Sequence, residues 1–261
     1  MSPQLRIAAI IIAKNEAHHI ADCVASLRWA DEVVVCDNFS GDETVVLAQQ
    51  AGARVISQFP HENFAVAHNL ALDTVTDTEW ILFVDADERA TPELADEIQF
   101  IVRDNVTPAG YWVPRHNYIF GKLILHAGYY PDYQMRLLRR GRARYERPVH
   151  EVVVLDGSEG HLEHPLIHHN YETVKQFHVK QRRYIQFDAQ ELDQQGVHFK
   201  LRNLILQPLR HFWWRYITLQ GYRDGLHGLR LCALLAYYYG LLTYLRLCKI
   251  QRPSASRQTC S

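Results

Sequence analysis

The sequence predicts an α/β protein, with a doubly wound, mostly parallel sheet followed by a C-terminal helical extension. Three observations support this prediction. Apolar strands alternate with helical segments over the first hundred residues, these strands contain long apolar runs, and the pattern beyond Asn170 is helical. Alternating strands and helices with short connections place helices on both faces of a parallel sheet.

The elements of the first half follow from their local patterns. Residues 5–13 are apolar apart from Arg6, as is typical of a strand that is buried on both faces. Gly52 is placed to end a helix over Thr44–Gln50. The other expected helices are 17–27, 65–73 and 92–103, and the other expected strands are 32–37, 54–57 and 80–84.

The pattern changes after residue 103. Short strands separated by Gly, Pro and Asp are expected at 111–116, 134–139, 149–155 and 161–168, and they complete the sheet as mixed or antiparallel strands. Beyond Asn170 we expect helices with breaks near Gly196, Pro208 and Gly225. The sequence therefore predicts a sheet domain over residues 1–170 and a helical extension over residues 171–261.

Charge divides the chain into an acidic body and a basic, aromatic-rich tail. The sequence has 28 Lys and Arg against 29 Asp and Glu, so its formal net charge of −1 gives no reason to expect nucleic-acid binding. Between residues 200 and 252, nine Lys and Arg stand against one acid, Asp224. Only the tail suits an anionic surface.

The cysteines and the N-terminal segment indicate a cytosolic protein. The five cysteines include no CxxC pair, which is typical of reduced, buried thiols rather than of a disulfide framework. No small-residue cleavage site accompanies the N-terminal apolar strand, so we expect no secretory signal and a site that faces the cytoplasm.

Polar residues follow the second predicted strand. Asp37 ends the strand, and Ser40 and Asp42 lie in the turn before the next helix. Ligands of doubly wound sheets bind at the carboxyl ends of strands, where Asp37 could accept a hydrogen bond from a nucleobase N–H or a ribose hydroxyl. A simpler interpretation is that Ser40 or Asp42 caps the helix.

Three acids in four positions, Asp85, Asp87 and Glu88, follow the fourth predicted strand. Like charges this close repel one another unless a cation neutralises them. Mg²⁺ and Mn²⁺ take one or two carboxylates and keep other positions for substrate phosphates. The segment therefore predicts a metal–diphosphate site, whereas a helix cap would explain only one of the acids.

Other phosphate-handling motifs do not fit the sequence. A phosphatase with an aspartyl nucleophile would need Thr or Val where Arg89 stands, and there is neither a P-loop nor a GxGxxG fingerprint. A nucleotidyltransferase would need a glycine-rich loop after the first strand, where this chain has Lys14-Asn15-Glu16.

Three segments together resemble the family 2 glycosyltransferases of GT-A fold. They are IIIAKNE ending at Glu16, VVVCDNFSGDET ending at Thr44 and VDADER ending at Arg89. The segments YPDYQMRLLRR, PVHE and GYRDG resemble, more narrowly, the lipopolysaccharide inner-core β-1,4-glucosyltransferase subgroup. The likeness covers nearly the whole chain.

The resemblance implies an inverting, metal-dependent transferase that moves a hexose from a nucleotide sugar such as UDP-glucose to a hydroxyl of a lipid-anchored glycan, for example the lipopolysaccharide inner core. It implies Mg²⁺ or Mn²⁺ held by Asp85 and Asp87, with His168 as a further ligand. His68 stands where the resemblance would place Lys or Arg. The donor-binding residues expected in residues 1–170 are Lys14, Asn15, Glu16, Asp37, Ser40, Asn69, Asp85, Ala86, Asp87 and Arg136.

Inverting transfer also needs a general base for the acceptor hydroxyl. Glu151 and Asp132 are the leading candidates, with Glu151 preferred, because both lie in polar turns after the core strands. Asp132 could instead stabilise a turn beside Pro131, and Glu151 could pair with an arginine. The arginines that could bind a diphosphate or a phosphorylated acceptor, Arg136 first, are Arg136, Arg139, Arg140, Arg142, Arg144 and Arg147.

The basic tail has two interpretations. The fifteen uncharged residues 231–245 would form a helix of about 22 Å, which is too short for a hydrocarbon core of about 30 Å. Mixed aromatic and Arg residues instead suit helices in an anionic interface, which predicts peripheral contact with the cytoplasmic face of the inner membrane. Alternatively, the helices pack on the catalytic domain or form a homo-oligomer. A different class of function, an inactive adaptor that binds membrane or RNA through the tail, is the second hypothesis.

Overall fold

The computed structural model describes residues 7–57, 59, 64–103, 108–146 and 152–252. The chain forms two compact units. The first comprises Met1–His116 and Pro131–Asn170, and the second comprises Asn117–Tyr130 and Tyr171–Ser261. The second unit thus includes a segment from the middle of the chain as well as the C-terminal helices.

Strands and helices alternate through the first unit and helices dominate the second. The strands are β1 (Ile7–Ala13), β2 (Glu32–Asp37), β3 (Arg54–Ile56), β4 (Trp80–Asp85), β5 (Glu88–Ala90), β6 (Gly110–Val113), β7 (Arg115–Ile119), β8 (Lys122–Ile124), β9 (Gln134–Arg139), β10 (Ala143–Glu146), β11 (Val152–Leu155), β12 (Glu159–His161) and β13 (Leu166–Tyr171). The helices are α1 (Ile20–Ser26), α2 (Thr44–Gln50), α3 (Phe64–Asp73), α4 (Pro92–Arg103), α5 (Val174–Gln194), α6 (Asn203–Trp213), α7 (Gly225–Leu235) and α8 (Thr243–Gln251).

The main sheet of the first unit has seven strands in the order β12-β6-β9-β4-β1-β2-β3. Strand β9 is antiparallel to β4 and β6, while the pairs β4–β1, β1–β2, β2–β3 and β12–β6 are parallel. The predicted doubly wound, mostly parallel α/β sheet is therefore confirmed.

Each central strand is apolar on both faces because the two faces pack on different helices. In β1, Ile7, Ala9 and Ile11 join a core with α1, α2 and α4, whereas Ala8 and Ile10 join a second core with α3. The described cysteines are free, and Cys23, Cys36 and Cys232 are buried.

Two prolines divide strands that the sequence suggested were continuous. The expected strand 111–116 is split at Pro114 into β6 and β7, because proline has no backbone N–H for the ladder. The expected strand 161–168 is split into β12 and β13 by a turn before Pro165, in which the carboxylate of Glu97 accepts hydrogen bonds from the backbone N–H groups of Glu163 and His164. The first part of the expected strand 149–155 lies outside the described residues.

The second unit packs the β7–β8 hairpin and its helices around a separate core. That core includes Ile119, Phe177, Leu231 and Tyr238. The break expected at Pro208 was wrong, because Pro208 lies inside α6. There it packs against Gly240, where an added Cβ would approach Pro208 Cα to 2.5 Å. Close packing against a glycine outweighs the local cost of a helical proline.

The last helices join into one long helical stretch. A π-helical segment, Ala236–Leu242, connects α7 to α8, and Gly221–Gln251 together span 31 residues. This stretch extends well beyond the fifteen uncharged residues, and by length and composition alone it is able to cross a membrane. The most apolar 18 residues of this stretch are 44% buried within the chain itself, as expected for the core helix of a globular unit. Length and composition therefore give only weak support for a membrane span.

Candidate active site

The carboxyl ends of β1, β2 and β4 meet at one edge of the main sheet. In the register of the parallel strands, Ala13 pairs with Asp37 and Ile12 pairs with Asp85. Asp37 and Asp85 thus flank β1, with backbones roughly 10 Å apart, which is two strand spacings. The two predicted acidic positions are brought to the same edge.

Two loops beside this edge are tied together by polar side chains. The backbone N–H of Asn15 donates to Ser40 Oγ at 2.8 Å, and the backbone N–H of Gly41 donates to Asn15 Oδ1 at 2.8 Å. Asn15 adopts a left-handed conformation with φ of 57°, which asparagine tolerates better than most residues. The backbone N–H of Glu16 donates to Thr44 Oγ1 at 2.8 Å. Lys14 is exposed beside these bonds.

Asp42 stabilises the same pair of loops. Its carboxylate accepts hydrogen bonds from the backbone N–H groups of Ala17 and Thr44 and from the Thr44 hydroxyl. The bond from the Thr44 hydroxyl is the main reason that the pKa of Asp42 lies below its usual value.

Asp37 is buried with one oxygen unsatisfied. The residue is 3% exposed, and its Oδ2 accepts a hydrogen bond from the backbone N–H of Ser40 at 3.2 Å. Its Oδ1 has no hydrogen-bond partner within the described part of the chain. A buried acceptor without a donor is costly, so this oxygen suits a ligand N–H or O–H.

Asp85 is paired with an arginine. Arg136 donates to Asp85 Oδ1 at 3.1 Å and also to Asp85 Oδ2. Burial alone would raise the pKa of Asp85, but the neighbouring guanidinium of Arg136 outweighs it and holds the pKa at about 2. Asp85 therefore remains ionised, with 48% of its side chain exposed and 10% of Arg136 exposed.

Glu88 lies beneath this pair and is fully buried. Its carboxylate accepts from the backbone N–H of Asp85 at 2.9 Å and contacts Arg136 at 3.3 Å and Arg115 at 3.1 Å. Burial raises the pKa of Glu88 despite the two guanidinium groups. Glu88 thus fixes the turn after β4 rather than facing a ligand.

Asp132 is held by Arg115. The Nε and Nη2 atoms of Arg115 both donate to Asp132 Oδ2, at 3.0 and 2.7 Å, and Gln134 Nε2 donates to Oδ1 at 3.1 Å. The carboxylate stays 26% exposed. An aspartate in this position is accessible, but its charge is shared with a cation.

Asp87 faces His168. Asp87 Oδ2 lies 3.5 Å from His168 Nε2, and the Asp87 carbonyl accepts a hydrogen bond from the backbone N–H of His169 at 2.9 Å. The pairing of β5 with β13, in which His168 lies opposite Glu88, positions the imidazole. Within the described ranges, no three His, Cys, Asp or Glu side chains form a metal-holding cluster. Asp87 and His168 are therefore together, while Asp85 is engaged by Arg136.

Asn69 and His68 lie against β10. Asn69 Nδ2 donates to the carbonyl of Tyr145 at 2.8 Å, and its Oδ1 accepts from the N–H of Tyr145 at 3.0 Å. The His68 ring stacks on Tyr145 with centroids 4.3 Å apart and meets Phe83 at 4.9 Å. Asn69 thus joins α3 to β10, and His68 forms part of an aromatic wall.

That wall encloses a cavity of about 620 Å³ beside Asp85. The residues that line it include Ile12, His68, Trp112, Glu159, Arg115 and Arg136. A volume of this size suits a small organic ligand. The sequence did not indicate the aromatic wall, because its rings come from α3, β4, β6 and β10, and only the fold brings them together.

The remaining arginines of the predicted cluster are engaged elsewhere. Arg139 pairs with Glu79, Arg142 with Asp156 and Arg144 with Asp73. Arg140 donates to the carbonyl of Thr76. Arg147 and Glu151, the preferred base, lie outside the described residues. Sequence reasoning missed Arg115 and undervalued Glu88, because each is the first residue of a short, half-buried strand and no local pattern marks it.

Comparison with known proteins gives the family. The model of glycosyl transferase family 2 matches residues 8–158, which is more than half of the chain. The lipopolysaccharide core biosynthesis glycosyltransferase LpsC of Rhizobium meliloti is 28% identical over 240 residues, 87% of each chain. An uncharacterized glycosyltransferase of Rickettsia bellii is 41% identical over 97 residues, 37% of this chain. The match spans about a third of the rickettsial protein, 32% of its length.

Solved structures give more distant likenesses. Glucosyl-3-phosphoglycerate synthase from Mycobacterium tuberculosis, in complex with Mn²⁺, UDP and glucosyl-3-phosphoglycerate, has a TM-score of 0.46 and 19% identity over 74% of this chain and 81% of that one. S. aureus TarS has a TM-score of 0.44 and 14% identity over 98% of this chain and 57% of that one. With the family model matching the sheet that carries Asp37, Asp85 and Asp87, the chain belongs to glycosyltransferase family 2 and is a glycosyltransferase.

Proposed function

We propose that this glycosyltransferase moves a hexose from a nucleotide sugar, with UDP-glucose as the expected donor, to a hydroxyl of a lipid-anchored glycan such as the lipopolysaccharide inner core, with inversion at the anomeric carbon. The name of the Rhizobium meliloti relative supports the acceptor class. The inactive-adaptor hypothesis is not retained, because the chain belongs to a family of transferases.

The observation that carries the donor proposal is the unsatisfied buried oxygen of Asp37 at the strand edge shared with Asp85. A nucleobase N–H or a ribose hydroxyl at that edge would satisfy Asp37 Oδ1. The bonds between the loops that contain Asn15 and Ser40 use the backbone N–H groups of Asn15 and Gly41, so the donors that remain from these bonds are the Asn15 amide N–H₂ and the Ser40 hydroxyl. Lys14, Glu16 and Ala86 are proposed to border the donor there.

Asp87 and His168 fit a divalent cation, although without Asp85 they are only two ligands. An ion such as Mg²⁺ or Mn²⁺ commonly takes one or two protein groups and leaves the others to substrate and water, and Asp87 with His168 meets that requirement. When bound, the ion would neutralise charge on the departing diphosphate. Asp85 is proposed to hold Arg136 at the same end of β4, where the guanidinium is a second source of positive charge.

For the general base we propose Glu151, with Asp132 as the alternative. A base must accept the acceptor's proton while the sugar is attacked in line. Asp132 is accessible, but its Oδ2 already accepts two hydrogen bonds from Arg115 and its Oδ1 accepts one from Gln134, so little of the carboxylate is left for an acceptor hydroxyl. We therefore expect Glu151→Gln to reduce transfer more than Asp132→Asn does.

A donor panel tests the proposed function. The full chain is incubated with UDP-, GDP- and TDP-hexoses and Mn²⁺, and the released nucleoside diphosphate is measured. We expect release from a UDP-hexose, an at least hundredfold decrease for Asp87→Ala, and wild-type release for Asp96→Ala, which removes an exposed aspartate on α4. Release that is equal in Asp87→Ala and the wild type would contradict the site.

We also propose that the second unit contacts an anionic membrane through one face of α6. Four large apolar side chains on this face, Ile205, Leu206, Leu209 and Trp213, are 54–67% exposed. Ile205, Leu209 and Trp213 follow one another at intervals of four residues and Leu206 lies three before Leu209, which places all four on one side of the helix, and exposed Arg202 and Arg210 lie close to them in sequence. Aromatic, aliphatic and cationic groups in this arrangement are typical of interfacial helices.

Vesicle sedimentation tests this contact. We expect the full chain to bind vesicles that contain phosphatidylglycerol more strongly than vesicles of phosphatidylcholine. The double variant Leu209→Ser, Trp213→Ser should weaken binding, whereas Phe100→Ser, which removes an apolar side chain that is 72% exposed on α4, should not. Unchanged vesicle binding together with a loss of self-association in the double variant would assign the face to a second copy of the chain instead.

A further inference from the structure

The cavity beside Asp85 extends away from the proposed donor edge. Its far wall is built from β6, β9 and β12, which are neighbours in the main sheet on the side of β4 opposite β1. Trp112, Gln134 and Glu159 contribute this wall, one residue from each strand. The donor expectations from the sequence involve none of these three residues.

The wall combines an aromatic surface with oriented polar groups. The Trp112 ring is half-buried, and its Nε1 donates to Glu159 Oε2 at 3.0 Å. This bond fixes the indole and leaves Glu159 Oε1 available for another donor. The ring of His161 lies beside Trp112, with centroids 6.4 Å apart, and Tyr133 meets His161 edge-on at 4.9 Å. An aromatic face suits the C–H face of a sugar ring, while carboxylate and amide groups suit its hydroxyls.

The charges around the cavity disfavour an anionic ligand. Arg115 and Arg136 are its two guanidinium groups, and they contact the carboxylates of Asp85, Glu88 and Asp132. Of the described residues that line the cavity, Asp85 and Glu159 balance Arg115 and Arg136, so this lining carries no net positive charge. A phosphate or carboxylate placed at this wall would meet the Glu159 carboxylate, and both guanidinium groups are already paired with carboxylates rather than open to a bidentate contact.

We propose that Trp112, Gln134 and Glu159 form the acceptor subsite and select an uncharged, hydroxyl-rich sugar ring. The ring stacks on Trp112, and one of its hydroxyls donates a hydrogen bond to Glu159. The side-chain amide of Gln134 can donate a hydrogen bond to a sugar hydroxyl or accept one from it. The attacking hydroxyl then points along the cavity toward Asp85, which lines the same space. The name acceptor subsite rests on the proposed function, whereas binding of the sugar ring does not depend on turnover.

Ligand binding by the full chain tests the subsite directly. Saturation-transfer NMR is used to compare methyl α-D-mannopyranoside, a neutral ring, with mannose 6-phosphate at the same ionic strength. We expect the neutral glycoside to bind and the phosphate to bind about tenfold more weakly. Trp112→Ala and Glu159→Gln should each weaken glycoside binding by about fivefold to tenfold.

Two matched variants and a fold check complete the experiment. Phe100→Ala removes an exposed aromatic ring on α4, and Glu163→Gln removes an exposed carboxylate four residues after Glu159; both should bind the glycoside as the wild type does. Circular dichroism verifies folding, and Gln134→Ala provides a milder variant if Trp112→Ala unfolds. Equal or tighter binding of the phosphate, or full binding by Glu159→Gln and Gln134→Ala, would overturn the proposal.

Turnover measured in parallel separates the two proposals. Nucleotide-sugar hydrolysis without glycoside binding would reject the subsite and keep the proposed function. Glycoside binding that depends on Trp112, in a chain that hydrolyses no nucleotide sugar, would keep a sugar subsite and reject the proposed donor chemistry.

Discussion

Arg136 donates hydrogen bonds to both carboxylate oxygens of Asp85, so the acid that ends β4 already has a cationic partner within the protein. Glu88, beneath them, contacts the same guanidinium at 3.3 Å. Asp87, by contrast, lies 3.5 Å from the imidazole of His168. The sequence suggested that repulsion among the three acids would need a metal ion, but arginine relieves a large part of it.

Loss of Arg136 should destabilise the first unit strongly. Arg136→Met leaves Asp85 and the fully buried Glu88 without this cation, and breaking a buried ion pair costs about 3–5 kcal/mol. Urea unfolding of both proteins measures the difference. The control Arg142→Met breaks a pair with Asp156 that is largely exposed and should cost less than about 1 kcal/mol. Similar losses in both variants would show that the buried pair has no special role.

The Asp85–Arg136 pair should also make stability depend on acid pH. The pKa of Asp85 is about 2 in the folded chain against an ordinary 3.8, so the unfolded chain takes up the proton first as pH falls. The stabilising contribution is present above about pH 4 and is lost as pH falls toward 2. In a chelating buffer, the free energy of unfolding of Asp85→Asn should therefore vary less between pH 5 and pH 2 than that of the wild type. Parallel curves would contradict the pairing.

Asn69 should act mainly on stability, although the sequence placed it among the donor contacts. Its side chain makes two hydrogen bonds with the backbone of Tyr145, so Asn69→Ala should cost about 1–3 kcal/mol in denaturant unfolding. Asn69→Asp keeps the acceptor for the Tyr145 N–H and should fall between the wild type and the alanine variant. A large loss of UDP affinity without a change in stability would restore the donor role.

Asp37 should behave in the opposite way. Asp37→Asn keeps an oxygen for the N–H of Ser40 and places an amide N–H₂ where Oδ1 lacks a partner. We expect UDP, measured by calorimetry, to bind about tenfold more weakly, with unfolding changed by less than about 1 kcal/mol. Asp96→Asn provides the matched control at an exposed position on α4. Unchanged UDP affinity in Asp37→Asn would remove Asp37 from the donor site.

Gly240 should tolerate no side chain. A Cβ at this position would lie 2.5 Å from Pro208 Cα and 2.6 Å from Pro208 N, and a helix backbone cannot move aside as a flexible side chain can. Gly240→Ala should cost about 1–3 kcal/mol through overpacking. At Gly41 an added Cβ meets nothing within 4 Å, so Gly41→Ala should be close to neutral. Calorimetric melting of the two variants compares them, and equal melting temperatures would refute the close packing.

The local sequence was enough to determine the strands and helices of the sheet. The strands Glu32–Asp37 and Gln134–Arg139 and the helices Thr44–Gln50 and Pro92–Arg103 have the predicted bounds, because continuous apolar runs and amphipathic repeats are local signals. The same signals located Asp37 and Asp85 at strand ends, and the strand-end rule put them at one edge. The prolines at 165 and 208 were harder to interpret, since the turn before Pro165 is held by Glu97 and Pro208 packs against Gly240, both distant in sequence.

Tertiary structure decided which of these side chains have partners. The pairing of Asp85 with Arg136 and of Asn69 with Tyr145 joins residues that are 51 and 76 positions apart, a distance over which composition and spacing carry no information. The cavity wall of Trp112, Gln134 and Glu159 likewise exists only because the order of the sheet places β12, β6 and β9 side by side. Residue type and local pattern thus determined the chemistry available to this chain, while strand order determined which groups neutralise one another and which face a ligand.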